Sequence, residues 1–418
     1  MSPRDPLDSL VSPYVGVVRG VQEVLAGPQD VRLSTMWCES AHAGRLVGAA
    51  VAHAGGGSGL SAPAARAAAI GEAVERYSAC FADSDRLVVA TAHELGRRAV
   101  DPARFALFTA AQYARPGFPY VPFTRDTELA WVEGRSLPGG EPAWLPAQVV
   151  HLAPVRDEPP ICRATSSGLA CHTDAAAATL AAFLELLERD AFMITWNARL
   201  SWPRLEWTGH AAIEEFAHTR LRPTGLHAHA IDLSAFWEIP CVLGVARSTV
   251  PGDAPVGVGA AAAVTIERAV VKALDEAVRV RSWAHALRRL GVSAPPEIRD
   301  FDDHIRFYAD PSNASRTRFL DASRERRHVR SVPALDSPHV DALCERLARR
   351  SASAYAVDVT SPDVREAGLT VMRVVAPELC PLDVEHDARL LGGRRMYEEP
   401  VRLGFGKRRL NPDPHPFP

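Results

Sequence analysis

The stretch Thr173 to Trp196, TDAAAATLAAFLELLERDAFMITW, constrains this chain more than any other. Glu185, Glu188 and Arg189 fall at i, i+3 and i+4, on one face of a helix that is otherwise Ala, Leu and Phe. Two carboxylates on an apolar helix are expensive to bury alone, and a cation or metal partner is the usual remedy. The same E-x-x-E-R cluster occurs earlier, as Glu72, Glu75 and Arg76 in AAAIGEAVERYSAC, again within an Ala-rich helix. One copy reads as a surface salt-bridge pattern; two copies on helices of this composition point to a site.

Each helix follows a loop of small residues. GGGSGLSAP at 55–63 reads as a glycine-rich turn, with Ser61 as helix cap and Pro63 in the first turn. TSSGLACHT at 165–173 repeats the arrangement, and Ser166 and Ser167 are candidate phosphate or ribose contacts. Four glutamates behind two such loops suit hard cations held against a polyphosphate, because Mg2+ prefers carboxylate oxygen and keeps phosphates in its shell. Arg76, Arg189, Arg279 and Arg281 are placed to brace phosphate oxygens. The chain carries no G-x-x-x-x-G-K-[ST] loop, no kinase set and no dinucleotide fingerprint, which argues against the familiar nucleotide folds.

The rest of the chain reads as scaffold. In residues 1–50, YVGVVRGV and GRLVGAAVAH pattern as strands. WVEGRSL and EPAWLPAQVVHL form a hairpin across Pro138, Gly139 and Gly140. GLHAHAIDLSAFWEIPCVLGVARS and VGVGAAAAV alternate as strands before a third Ala-rich helix from Thr265, which carries Glu276, Arg279 and Arg281. Residues 291–350 are polar and uneven and read as an excursion loop; AYAVDVTSPDVREAGLTVMRVVAP reads as strand, loop, strand. Prolines at 412, 414, 416 and 418 force the end of the chain into an extended, stiff form.

The net charge of -3, with both signs interspersed, argues against a nucleic-acid surface or a membrane patch. Seven scattered cysteines without a C-x-x-C pair argue for a reducing compartment. No signal peptide or apolar span is apparent, and the expected location is cytoplasmic.

These residues resemble the YcaO-domain family, specifically the stand-alone cyclodehydratase component of azoline-forming peptide maturation. The resemblance runs through SPYVGVVRG, ARAAAIGEAVERYSA, TSSGLACHTDAAAATLAAFLELLERDAFMITW, EAVRVR, DVTSPDVREAGLTVMRVVAPEL and the terminal PHPFP. It implies an α/β (α+β) fold with mixed sheets and Ala-rich helices framing a nucleotide site. The strand-rich part would occupy 1–54, the ATP-binding core 55–403 and a proline-rich tail reaching the active site 404–418.

The implied activity is ATP- and Mg2+-dependent conversion of Cys, Ser or Thr of a ribosomal precursor peptide to thiazoline or oxazoline. By position, Glu72, Glu75, Glu185 and Glu188 become metal ligands. Arg76, Ser167, Arg189, Glu276, Arg279 and Arg281 become nucleotide contacts, and the Pro418 carboxylate becomes the general base. The chain departs from the family's pattern at Ser58, where many members have Lys, and at Ala68, Ala176, Ala177 and Arg279. The retained glutamates and tail favour activity. A thioamide- or amidine-forming enzyme and a non-catalytic scaffold subunit are the alternatives. Some relatives carry a fused leader-binding domain for which this chain has no room, so the leader-binding partner is expected to be a separate protein resembling ubiquitin-activating enzymes. A flavin-dependent dehydrogenase for later oxidation and a homodimeric state are also expected.

Overall fold

In the computed structural model, residues 6–27, 30–48, 54–294, 296–335 and 337–417 are described. Strands β1 (Val18–Glu23), β2 (Ser34–Ser40), β3 (Ala54–Gly59), β4 (Leu87–Ala90), β5 (Leu129–Leu137), β6 (Pro142–Pro146) and β7 (Leu169–His172) precede the second glutamate helix. After it come β8 (Arg204–Glu206), β9 (His227–Asp232), β10 (Cys241–Arg247), β11 (Val256–Ala262), β12 (Arg326–His328), β13 (Ala354–Asp358) and β14 (Thr370–Val375). The three Ala-rich helices are Ala62–Ser78, Ala175–Asn197 and Ile266–Arg289. The result is a mixed α/β architecture, as expected from the sequence.

The chain divides into two compact units, one of residues 1–25, 33–186 and 339–379, the other of residues 26–32, 187–338 and 380–418. The first holds a three-stranded antiparallel sheet, β1-β2-β3, and a sheet ordered β4-β5-β13-β14-β7 with β6 paired to β5. The hairpin expected across Pro138 to Gly140 is the β5–β6 pair, with Trp131 opposite Pro146. The second unit holds the sheet β11-β10-β9-β8-β12. The Ala175–Asn197 helix belongs to the first unit through Leu186 and to the second from Leu187.

Small residues decide how the helices seat. In the first unit Ala65, Ala69 and Ala73 form an i, i+4 row on the buried face of Ala62–Ser78 and lie against β3. A Cβ on Gly55 would stand 2.4 Å from the Ala69 carbonyl, and one on Gly57 would stand 2.3 Å from the Ala69 amide. The segment 55–59, expected to be a glycine-rich turn, is therefore strand. Its glycines serve close helix–sheet approach rather than chain reversal. The second unit repeats the device: Gly244 and Gly257 would place a Cβ 2.2 Å and 2.1 Å from the carbonyls of Ala273 and Ala277 on Ile266–Arg289.

Three other expectations change. Of GRLVGAAVAH, Ala43–Val47 is a short helix and residues 49–53 lie outside the described set. The loop at 165–173 ends at Gly168, because Leu169–His172 joins the sheet beside β14. Residues 291–350 are folded, with helices Phe301–Ala309 and Val340–Ala348 flanking a run of 3-10 turns at Pro311–Asp321. Their apolar residues are few, but Ile305, Tyr308, Ala309, Leu343 and Leu347 are all buried. The Ser61 cap and the helix start at Thr265 stand as expected: each side-chain oxygen accepts an N–H three residues on, from Ala64 and Arg268. Among the described residues no helix is long and apolar enough to cross a membrane.

Candidate functional site

Glu72, Glu75, Glu188 and Glu276 share one structural position: each accepts a backbone N–H from the last strand of a sheet. Strands β3, β7 and β11 pair on one side only in the sheet orders, so their other edge presents N–H groups that need acceptors. In the first unit Glu72 takes the Gly56 amide on Oε2 at 2.6 Å, and Glu75 takes the Cys171 amide on Oε1 at 2.8 Å. In the second, Glu188 takes the Ala262 amide at 3.1 Å and Glu276 takes that of Ala260 at 2.9 Å. One oxygen of each carboxylate is thereby fixed in direction.

The first unit concentrates negative charge. Burial pushes the Glu75 carboxyl up to about 8, and neighbouring Glu185 and Glu72 push in the same direction against the Cys171 amide and Arg76. Arg76 is held by the other oxygen of Glu72 at 2.6 Å and by the Ala54 carbonyl at 2.5 Å. Behind them Arg373, on β14, is buried and donates to the carbonyls of Thr165 and Val149, each at 2.8 Å. Burial lowers its guanidinium to about 10, while Glu185 favours the charged form. Arg373 thus ties down the loop carrying Ser166 and Ser167. Gly168 closes that loop at φ +84, where a Cβ would meet the Val374 carbonyl at 2.6 Å.

In the second unit the residues Glu188, Arg189 and Asp190 serve three different contacts. Glu188, 1% exposed, meets Arg189 Nη1 at 3.0 Å as well as the β11 amide. The Arg189 guanidinium lies 4.2 Å over the ring of Phe417. Asp190 is fully buried and accepts from Arg395 Nε and Nη2 at 3.0 and 2.6 Å, from the Cys380 amide and from Trp237 Nε1. Arg279 pairs with Asp275 at 3.2 Å. Arg281 is 1% exposed and held by Asp253 at 2.5 Å, and Asp253 also accepts from Ser248. Pro418 lies outside the described residues.

The sequence profile of a family described as YcaO cyclodehydratase, ATP- and Mg2+-binding, matches residues 56–380. The chain belongs to the YcaO family. Solved structures agree on the fold. One, a heterocyclase in complex with substrate and cofactor, superposes with a TM-score of 0.80 at 22% identity, over 99% of this chain and 57% of that one. Another is the YcaO protein of Methanopyrus kandleri bound with AMPPCP and Mg2+, with a TM-score of 0.61 at 18% identity over 89% and 88% of the two chains. An uncharacterized protein of Methanothermobacter thermautotrophicus is 29% identical over 233 residues, 54% of this chain and 56% of its own length. The chain thus spans little more than half the length of that relative and of the heterocyclase.

The family's profile is described as ATP- and Mg2+-binding, and the residues present suit that cofactor. Among the described residues no three His, Cys, Asp or Glu side chains form a ready cage for a metal. Mg2+ does not need one when phosphate oxygens and water complete its octahedron, and one or two carboxylates suffice. Carboxylates oriented by backbone amides are apt donors of that kind. Sequence reading missed Arg373, Asp190 and Phe417. Arg373 had a signal, a lone charge in the apolar strand TVMRVV. Asp190 had one too, directly after the recognised cluster.

Proposed function

We propose that the protein is an ATP-dependent cyclodehydratase acting on Cys, Ser or Thr residues of a ribosomally made precursor peptide. In the proposed reaction the peptide side chain gives up its thiol or hydroxyl proton to a base and attacks the preceding backbone carbonyl carbon. The resulting oxyanion takes the γ-phosphoryl group of ATP with release of ADP. Loss of inorganic phosphate and the amide proton leaves the C=N bond of a thiazoline or oxazoline. An amide oxygen is a poor leaving group, and phosphorylation makes it a good one.

The observation that carries this reading is the crowding of Glu72, Glu75 and Glu185 within the first unit, with two of the three pinned by strand amides. Like charges so placed favour a cation among them. Glu72, Glu75, Glu185 and Glu188 are assigned as the carboxylates that hold Mg2+. When bound, the metal neutralises phosphate charge. Arg76 and Arg189 are assigned to brace phosphate oxygens, each oriented by a neighbouring glutamate. Ser167, Glu276 and Arg279 are assigned further contacts to the nucleotide. A separate leader-binding partner is part of the reading.

The test is to mix the chain, a leader-binding partner, the precursor and Mg·ATP and follow the peptide by mass spectrometry. One water is lost per cyclised residue, with ADP and phosphate formed. Glu185→Gln or Glu75→Gln lowers the rate by about a hundredfold, the usual scale for removing one charge contact at a developing anion. Near-normal turnover in both variants would remove the assignment of the acidic cluster.

A further inference from the structure

The end of the chain is built into the second unit rather than laid on it. Between Pro412 and Pro416 every second residue lacks an N–H, which halves the donors that burial must satisfy. The carbonyls are taken up one after another. Trp196 Nε1 donates to the Asp413 carbonyl at 3.1 Å, and the Tyr308 hydroxyl donates to that of Pro414 at 2.6 Å. His304 Nδ1 lies 2.7 Å from the His415 carbonyl, and the two imidazoles stack at 3.9 Å with 14° between planes. His415 Nε2 lies 2.8 Å from the Asp383 carbonyl, while its Nδ1 accepts from the Phe417 amide at 3.3 Å.

All of this fixes one side chain. Phe417 is fully buried, with its ring centroid 4.7 Å from that of Phe192. The Arg189 guanidinium lies over its ring at 4.2 Å. That guanidinium meets Glu188, whose second oxygen holds the β11 amide. A cation over a ring is attracted by the negative face of the π system, and the attraction is strongest where water is excluded. An aliphatic side chain of equal size would fill the space without supplying it.

We propose that Phe417 is a positioning residue, which acts through its ring face on Arg189 to hold the Arg189–Glu188 pair in the orientation that binds Mg·ATP. The inference rests on the assignment of Glu188 and Arg189 to the nucleotide site. It gives the buried tail a role in nucleotide binding separate from any chemistry at the terminal residue.

The test replaces Phe417 by phenylalanines carrying successively more ring fluorines, introduced by nonsense suppression. Fluorination drains the ring face while leaving its shape almost unchanged. Mg·ATP affinity is read by calorimetry and folding by thermal melting. The expected result is a stepwise rise in Kd, on the order of tenfold across the series, at nearly constant Tm. Phe417→Leu should match the most fluorinated ring, and Phe417→Trp should recover the wild-type affinity. A flat series, or Leu binding as tightly as Phe, overturns the proposal. Glu188→Gln in the same assay keeps the two readings apart. If it leaves Mg·ATP affinity unchanged, the site assignment fails and the inference with it. If it weakens binding while the fluorine series stays flat, only the role of Phe417 falls.

Discussion

Glu276 accepts the backbone N–H of Ala260 at 2.9 Å from sixteen residues further along the chain. Glu72 accepts that of Gly56 at 2.6 Å over the same sixteen residues. Each pair closes a strand–helix unit of one design: a glycine-bearing terminal strand, a helix whose alanines lie against it, and a glutamate returning to the strand edge. The two compact units therefore each contain this device. The E-x-x-E-R echo on Ala175–Asn197 is a different element, since Glu188 reaches an amide of β11 rather than of a strand preceding its own helix.

This predicts a separation of effects at Glu276. Glu276→Gln keeps an acceptor for the Ala260 amide and should leave the melting temperature nearly unchanged while weakening Mg·ATP binding. Glu276→Ala leaves that amide without its acceptor and should cost about 1–3 kcal/mol of stability. Urea denaturation and calorimetry together check it; equal stability of the two variants would count against the edge-capping role.

What the sequence disclosed and concealed follows from where each signal resides. The Ala-rich helices and the β5–β6 hairpin were legible because periodicity and turn residues belong to the side chains themselves. The sixteen-residue offset was not, because one partner is a backbone amide, which any residue except proline supplies. Gly55 and Gly57 were misread as a turn because glycine needed for close packing and glycine needed for chain reversal look alike. The Phe301–Ala309 helix was read as loop because His304 and Tyr308, which hold the tail, are polar residues on its buried side.

Asp190 predicts a stability effect without direct involvement in phosphate binding. Its carboxylate is fully buried and doubly held by Arg395, which itself lies 4.3 Å over the Trp237 ring. Asp190→Ala removes both charge-assisted hydrogen bonds of the buried Arg395 guanidinium, leaving it Glu399 at 3.6 Å, and should cost about 3–5 kcal/mol. Adding Arg395→Met removes the stranded charge and should recover much of the loss. A denaturation series on the single and double variants checks it, and additive losses would contradict it.

Arg373→Lys should loosen the Ser166–Ser167 loop. The planar guanidinium reaches the Thr165 and Val149 carbonyls at once, whereas an ammonium on a longer, unforked stem cannot span both. Hydrogen exchange at residues 165–169 should rise. Mg·ATP Kd should increase by about tenfold, the equivalent of one hydrogen bond to a charged group. Unchanged exchange in this segment would show that the strand contacts, such as the Val374 amide on the Gly168 carbonyl, hold the loop without Arg373.

Asp383 predicts a pH dependence of stability whose sign runs against the common carboxylate case. Burial raises its carboxyl from the ordinary 3.8 to about 6, against the opposing influence of the Leu390 amide and Arg389. The folded state therefore binds the proton more tightly than the unfolded chain. Stability from this group is fully present below the unfolded value and declines as pH rises through the interval from 3.8 to about 6. Above that interval the loss is constant, roughly 2–3 kcal/mol for a shift of this size. The buried histidines around the tail, His304 and His415, are both shifted downward by burial. Asp383→Asn keeps an acceptor for the Leu390 amide, at 2.7 Å in the parent, and carries no charge. Its stability relative to the parent should climb across the same interval and then level off. Urea midpoints measured at stepped pH for both proteins check this, and a difference that does not vary with pH would mean that the carboxyl ionises as readily inside the fold as outside it.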